Sequence, residues 1–385
     1  MTSGPQILAV LHLAGISGPA HSLRPWLKRA SQGGRLEIAV PAEGAAADLY
    51  RPLGRVTPLD YEALTLPRTP RAAIRFVTDA WRQTATLRAS IRRKRPDLVV
   101  VATSMLPWAL VAARLERVPA IVYVGEVVPT GPGVTRGIGG RALVVLTRAL
   151  ASKVVCCSKA AATAFGGARN VQVISPGIEA PGDGDGMAFR EREGLRTAKP
   201  LAVAVGNISR HRGQDVLIEA VAIARRELPD AACALVGAPH PRAQDLAFEQ
   251  ELRTLAKRLG VADAVALTGY LDGVADALAA ADVFVNPVRG AEGLGRAALE
   301  ALAAGRPVIA SRVDGVSEAL RDGRDALLVE PGDPHALAAA LVRIANDREL
   351  SERLVQTGGE HVRDSYAIGR GAEAFAALVS AVLAE

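Results

Sequence analysis

The 385-residue sequence predicts an α/β fold of two Rossmann-like domains, each with a parallel sheet covered by helices, facing each other across a cleft. Three observations predict it. Short apolar runs rich in Val, Ile and Ala alternate almost strictly with helical runs along the whole chain. The alternation breaks once, where Gly, Pro and charge replace apolar periodicity. The chain is also long for one core and comfortable for two. Short buried strands separated by helices imply right-handed crossovers and parallel sheets covered on both faces.

The elements follow in order. QILAVLHL reads as the first strand, AHSLRPWLKRA as a helix after a Gly-containing turn, and RLEIAV as the next strand. A proline-punctuated region, expected as loops, leads to a long basic helix. The strand DLVVVAT, a helix through LPWALVAARLE and the strand PAIVYV come next. A glycine-rich loop from Thr130 to Gly140, a helix to Ala151, and the strands KVVCC and NVQVI close the first half. The break is APGDGDGMAFREREGLRTAK. Beyond it LAVAVG, ACALVG, AVALTG, DVFVNP, PVIAS and ALLVEP read as strands. The intervening GQDVLIEAVAIARREL carries Val216, Leu217, Ala220, Val221 and Ala224 on one helical face. The expected organisation is a first domain over 1–180, a linker over 181–199, a second domain over 200–365, and a C-terminal helix over 366–385 packing back on the first domain.

Composition narrows the class. Hydrophobic residues make up 49% of the chain but aromatics only 4%, which favours aliphatic cores of helices on sheets over aromatic-rich sandwiches. No apolar run approaches the roughly 20 residues that span a bilayer. The N-terminal stretch reads directly as a strand without a basic leader, so no signal peptide is expected. Cys156, Cys157 and Cys233 lie in strand-like runs without Cys-x-x-Cys spacing, and buried thiols in a cytoplasmic protein are expected. The formal charge of +6 is uneven: Arg71 to Arg95 holds eight cations against Asp79 alone. Such a surface suits peripheral contact with anionic lipid at the inner membrane face, or is a solvated helix of an Arg-rich protein.

In open parallel sheets ligands bind outside the carboxyl ends of the strands, so those ends hold the candidate residues. In the second half they are Gly206, Asn207, Arg212 and Gly213 in VGNISRHRG, then Gly237, then Gly269 to Leu271. The fourth is NPVRGAEGLGRAALE, with Glu292 ahead of Gly293, Leu294 and Gly295, and Glu300 after seven intervening residues. Glycines let a backbone approach a ligand closely. A helix beginning near Gly295 aims free N–H groups and the positive end of its dipole at an anion. Arg212 and Asn207 suit the same anion, Glu300 a ribose diol, and Glu292 whatever lies beyond the phosphates.

This set resembles the family-4 retaining glycosyltransferases of the GT-B fold, throughout the second half and more loosely in the first. The carrying motifs are EGLGRAALE followed by ALAAGRPVIAS, VGNISRHRG, RDGRDALLVEPGD, VVCCSKAA and VISPGIE. The resemblance implies transfer of a hexose from a UDP- or GDP-sugar to a hydroxyl, with retention, and with no metal or other cofactor. It assigns Glu300 to the donor ribose, Arg212 to the diphosphate, and Glu292 to the transferred sugar near its anomeric centre. It has Gly293, Leu294 and Gly295 cradle sugar and phosphate, with Gly237 and Leu271 lining the donor. The implied acceptor is a small natural product such as an aminocyclitol, or a lipid-linked glycan.

Three segments depart from the family pattern. Asn207 and Arg212 stand where arginine and lysine are frequent. Gly125 stands where VYVGEVVP would have a histidine, while Glu126 keeps the acid. The loop LAGISGPAH holds Gly15 and Gly18 in place of a tight double glycine, as a donor contact or a simple turn. His21, opening the first helix, and Glu126 are the acceptor-side candidates. Asp183 to Asp185 imitate an Asp-x-Asp metal motif but follow no apolar strand and read as spacer. The six histidines show no metal-ligand spacing, and no Walker-type loop is present. Other readings are a nucleotide-sugar epimerase or sugar phosphorylase of the same fold, or a nucleic-acid binder using the basic helix. The carboxylate motif has no purpose in the last.

Overall fold

The computed structural model describes residues 4–15, 17–65, 70–128, 136–240 and 242–385. Most of the expected loop from Thr130 to Gly140, and the side chain of Arg71, lie outside the described residues. The chain divides into two compact units, 1–177 with 368–385, and 178–367.

In the first unit the order is β1 (Gln6–Val10), α1 (Gly18–Ala30), β2 (Arg35–Val40), α2 (Ala45–Tyr50), β3 (Arg55–Pro58), α3 (Pro70–Lys94), β4 (Leu98–Val101), α4 (Pro107–Leu115), β5 (Ala120–Val124), α5 (Arg136–Leu150), β6 (Lys153–Cys156), α6 (Lys159–Ala162) and β7 (Val171–Val173). The seven strands pair in parallel in the order β3-β2-β1-β4-β5-β6-β7. The central strands are buried at nearly every residue, which is why they read as continuous apolar runs. The region expected as loops after β2 contains α2 and β3. As an edge strand, β3 is half exposed and ends at Pro58, a residue tolerated where no further ladder donor is needed.

The second unit contains α7 (Gly186–Arg192), β8 (Leu201–Val205), α8 (Gln214–Ala224), β9 (Ala232–Val236), α9 (Ala243–Arg258), β10 (Val265–Gly269), α10 (Ala275–Ala280), β11 (Val283–Asn286), α11 (Arg296–Ala303), β12 (Val308–Ser311), α12 (Asp314–Ala319), β13 (Leu327–Val329), α13 (Pro334–Asn346) and α14 (Arg348–Ser365). Its six parallel strands run β10-β9-β8-β11-β12-β13. The stretch 181–199, expected as a linker, belongs to this unit. Asp185 caps α7 by accepting from the Ala188 N–H at 2.9 Å, and Phe189 is fully buried in the unit's core. Arg190 ties α7 down, donating to the carbonyls of Ala280 and Ala198 and to Asp282. One buried aromatic and one arginine thus fold a segment whose composition reads as spacer.

The terminal helix α15 (Ile368–Ala384) belongs to the first unit and packs on α1. Phe375, fully buried, stacks on Trp26 at 5.0 Å between centroids, and Tyr123 meets Trp26 edge-on at 5.5 Å. Arg29 donates to both carboxylate oxygens of Glu373 across the same seam. All three cysteines are buried thiols, and burial pushes Cys156 and Cys233 up to about 12.

Candidate functional site

In the second sheet the order reverses between β8 and β11, and the carboxyl ends of strands at such a switch point are where open parallel sheets bind ligands. The expected polar residues of this unit gather there. After β8 the chain passes Gly206 and Asn207, makes one short turn through Arg210–Arg212, and enters α8 at Gly213. Gly213 has φ of +66°, and a Cβ there would lie 1.9 Å from the Pro287 carbonyl oxygen. Only glycine lets the two loops cross so closely. Arg212 is thereby set against the loop after β11. Its Nη1 donates to Glu292 Oε1 at 2.7 Å and its Nε to Asn207 Oδ1 at 3.4 Å.

Glu292 is held from three sides. Its Oε1 takes Arg212, its Oε2 accepts from Asn286 Nδ2 at 3.2 Å, and its backbone carbonyl accepts from the Gly315 N–H at 3.1 Å. Asn286 is the last residue of β11. The sequence reading did not single it out, although its place at a strand end beside the glycine loop was the available signal. A Cβ at Gly315 would meet the carbonyl oxygens of Glu292 and Gly293 at 2.2 Å, so α12 closes tightly on the loop. Leu294 points into the core and is buried. Gly295, at φ of +72°, is the N-cap of α11, leaving the first N–H groups of that helix without intrahelical acceptors.

Glu300 lies one turn into α11 and its Oε1 accepts from Arg296 Nε at 2.8 Å. Burial raises its pKa above the usual carboxylate range, and the charge and hydrogen bond of Arg296 oppose this. His211 is held below the ordinary histidine range by burial and by Arg212, with Glu292 opposing. Gly237 is explained by packing: a Cβ there would sit 2.1 Å from the Gly206 carbonyl oxygen, and its N–H donates to Gly269. Leu271 is partly buried against the core.

The remaining candidates belong to the first unit. Gly15 and Gly18 have open space around them, and Ile16 between them lies outside the described residues. Ser17 caps α1, its Oγ accepting from the Ala20 N–H, and His21 is exposed on the first turn. Glu126 follows β5 and binds its own neighbours. Its Oε1 accepts from Thr103 Oγ1, the Ser104 N–H and Ser104 Oγ, and its Oε2 from the Gly125 N–H. A Cβ at Gly125 would lie 3.0 Å from the Tyr123 ring, which leaves little room for a larger residue. On α3 the basic character is partly neutralised. Arg88 and Arg92 share Glu116, Arg82 meets Asp60, and Lys94 is buried against Glu37.

A helix start, an arginine and two spaced carboxylates thus meet at the switch point of a parallel sheet. Residues 199–347 match the family profile of glycosyl transferases group 1, and residues 22–180 match Glycosyltransferase Family 4. The chain belongs to these glycosyltransferases, with the GT-B architecture of two Rossmann-like parallel-sheet domains. It is 37% identical over 199 residues to a D-inositol 3-phosphate glycosyltransferase of Streptomyces avermitilis, covering 50% of this chain and 42% of that protein. It is 33% identical over 219 residues to a GDP-mannose-dependent alpha-(1-6)-phosphatidylinositol monomannoside mannosyltransferase of Mycolicibacterium smegmatis, covering 53% and 55%. The chain spans about half the length of the curated relatives it matches. Among solved structures it resembles Anabaena Alr3699/HepE in complex with UDP and glucose, with a TM-score of 0.83 at 20% identity over 98% of this chain and 99% of that one.

Proposed function

We propose that this protein is a retaining glycosyltransferase that moves a hexose from a UDP- or GDP-sugar to an acceptor hydroxyl. The observation that carries the reading is the cluster of Arg212, Glu292 and Asn286 beside the free start of α11, with Glu300 one turn further on. In this reading the Arg212 guanidinium and the α11 N–H groups meet the negative charge that grows on the departing diphosphate. Glu292 meets the sugar near its anomeric carbon, and Glu300 holds the ribose diol. The acceptor attacks from the face the diphosphate leaves, and a phosphate oxygen takes its proton. Gly237 and Leu271 line the donor.

The relatives named for inositol phosphate and phosphatidylinositol mannoside support a cyclitol or a lipid-linked cyclitol glycan as acceptor, met by His21 and the Glu126 loops of the first unit. A lipid-linked acceptor is favoured by α3, where Trp81 and Val77 are 69% and 55% exposed one turn apart beside Arg75 and Arg82. Among the described residues no helix is long and apolar enough to cross a membrane, so contact through α3 would be peripheral.

Thermal shifts with UDP, GDP and their sugars test the donor site, wild type beside Glu300→Ala. A ligand that binds only the folded chain raises its melting temperature with concentration. Stabilisation by one nucleotide series, lost in Glu300→Ala, is the expected result. Equal shifts in both proteins, or none in either, would remove the assignment.

A further inference from the structure

Two ion pairs join the loops after β8 and β11, and they run in opposite senses. Arg212 and Asp215 stand three residues apart where the first loop enters α8, and Arg289 and Glu292 stand three apart on the second loop. Arg212 Nη1 donates to Glu292 Oε1 at 2.7 Å. Arg289 returns a two-pronged contact, its Nη2 donating to Asp215 Oδ2 at 2.7 Å and its Nε to Asp215 Oδ1 at 3.3 Å. Between the pairs lies the crossing at Gly213, where the Arg289 N–H also donates to the His211 carbonyl at 2.9 Å. The Arg289 side chain runs over that crossing: a Cβ at Gly213 would meet its Cγ at 3.5 Å, and a Cβ at Gly332 would meet its Nη1 at 3.3 Å. Arg289 and Asp215 are 41% and 21% exposed, so their pair adds little to the stability of the resting fold. Neither residue belongs to the cluster assigned to the donor.

Resting on the donor-site reading above, we infer that Asp215 and Arg289 are positioning residues, an outer clamp that holds the two loops together while Arg212 changes partner. Before a donor binds, both pairs close the crossing. A diphosphate that takes the Arg212 guanidinium draws it off Glu292, and the inner pair no longer joins the loops. The outer pair then keeps Arg212 on one loop facing Glu292 and the start of α11 on the other, so diphosphate and sugar are met from both loops at once. Asp215 also lies in the first turn of α8, where a negative charge suits the helix dipole. That role alone needs no arginine opposite it, and it acts on stability and not on the ligand.

The test is calorimetric titration of the whole protein with UDP and GDP, in wild type, Asp215→Asn, Arg289→Leu and the double variant. Through space the two charges act oppositely on a diphosphate: losing Asp215 tightens its binding and losing Arg289 weakens it. A clamp fails in the same way from either side. Each single variant should therefore bind the nucleotide about fivefold more weakly, the most expected of a solvent-exposed ion pair. The double variant should bind no more weakly than the weaker single, because the two side chains act as one unit. Arg289→Lys keeps the charge and one hydrogen bond and should recover part of the loss. Without nucleotide, melting temperatures should fall by no more than about 4 °C, since Arg212 and Glu292 still close the crossing. Tightened binding in Asp215→Asn, additive losses in the double variant, or unchanged affinity in both singles would overturn the inference. Arg212→Leu separates it from the reading beneath. If that variant binds nucleotide as the wild type does, the donor-site reading fails and the clamp with it. If it loses affinity while the Asp215 and Arg289 variants do not, only the clamp is lost.

Discussion

Replacing Glu292 with Gln separates the two tasks of the cluster. The carboxylate is 14% exposed and accepts from Arg212, itself 32% exposed, at 2.7 Å and from Asn286 at 3.2 Å. A hydrogen bond between charged groups contributes about 1.5–3 kcal/mol. The open side of Arg212 brings this pair down to about 1–2 kcal/mol. For a unit of this size that is a fall in melting temperature of roughly 2–8 °C. The same release frees Arg212. On the proposed reading an incoming diphosphate competes with the Glu292 carboxylate for the guanidinium, and with the neutral amide that competition is weaker. Nucleotide affinity should therefore hold or tighten by about fivefold, the equivalent of roughly 1 kcal/mol. Turnover should fall about 100-fold or more, as when one preorganised group is removed from the reacting centre. Calorimetry with UDP and GDP, and nucleotide release from the sugar donor that stabilises the wild type, measure the two effects. Nucleotide binding weakened tenfold with turnover intact would refute the reasoning, because Glu292 would then serve the diphosphate and not the sugar.

Three further changes probe the scaffold. Gly213→Ala places a Cβ 1.9 Å from the Pro287 carbonyl at φ of +66°, and should cost about 2–4 kcal/mol and displace Arg212. Gly269→Ala, at φ of +72° with open space around it, should cost about 1 kcal/mol, and equal urea midpoints for the two variants would contradict the close-crossing argument. Phe375→Ala removes the ring stacked on Trp26 and should destabilise the first unit by about 3–5 kcal/mol. Limited proteolysis should then cut α15 first, and a melting curve like that of the wild type would show that the stack does not hold the helix.

Much of this protein is legible along the chain. The four inner strands of the second sheet appear as short apolar runs because both of their faces are buried, and burial is recorded residue by residue. The glycine and carboxylate spacing after β11 appears because turn, helix start and acid lie within one local segment. Other features depend on partners distant in sequence, and no local periodicity records them. The edge strand β3 exists because β2 offers it a ladder. The spacer-like 181–199 folds because Phe189 and Arg190 find the core and the α10 carbonyls. The basic face of α3 is tempered by Glu116, Glu37 and Asp60, all outside the helix. At the site, the sequence by itself determined that Arg212, Glu292, Arg296 and Glu300 are present. The closing of Arg212 on Glu292 came from the tertiary structure, because the loops after β8 and β11 leave adjacent strands and meet at Gly213, where a side chain would not fit.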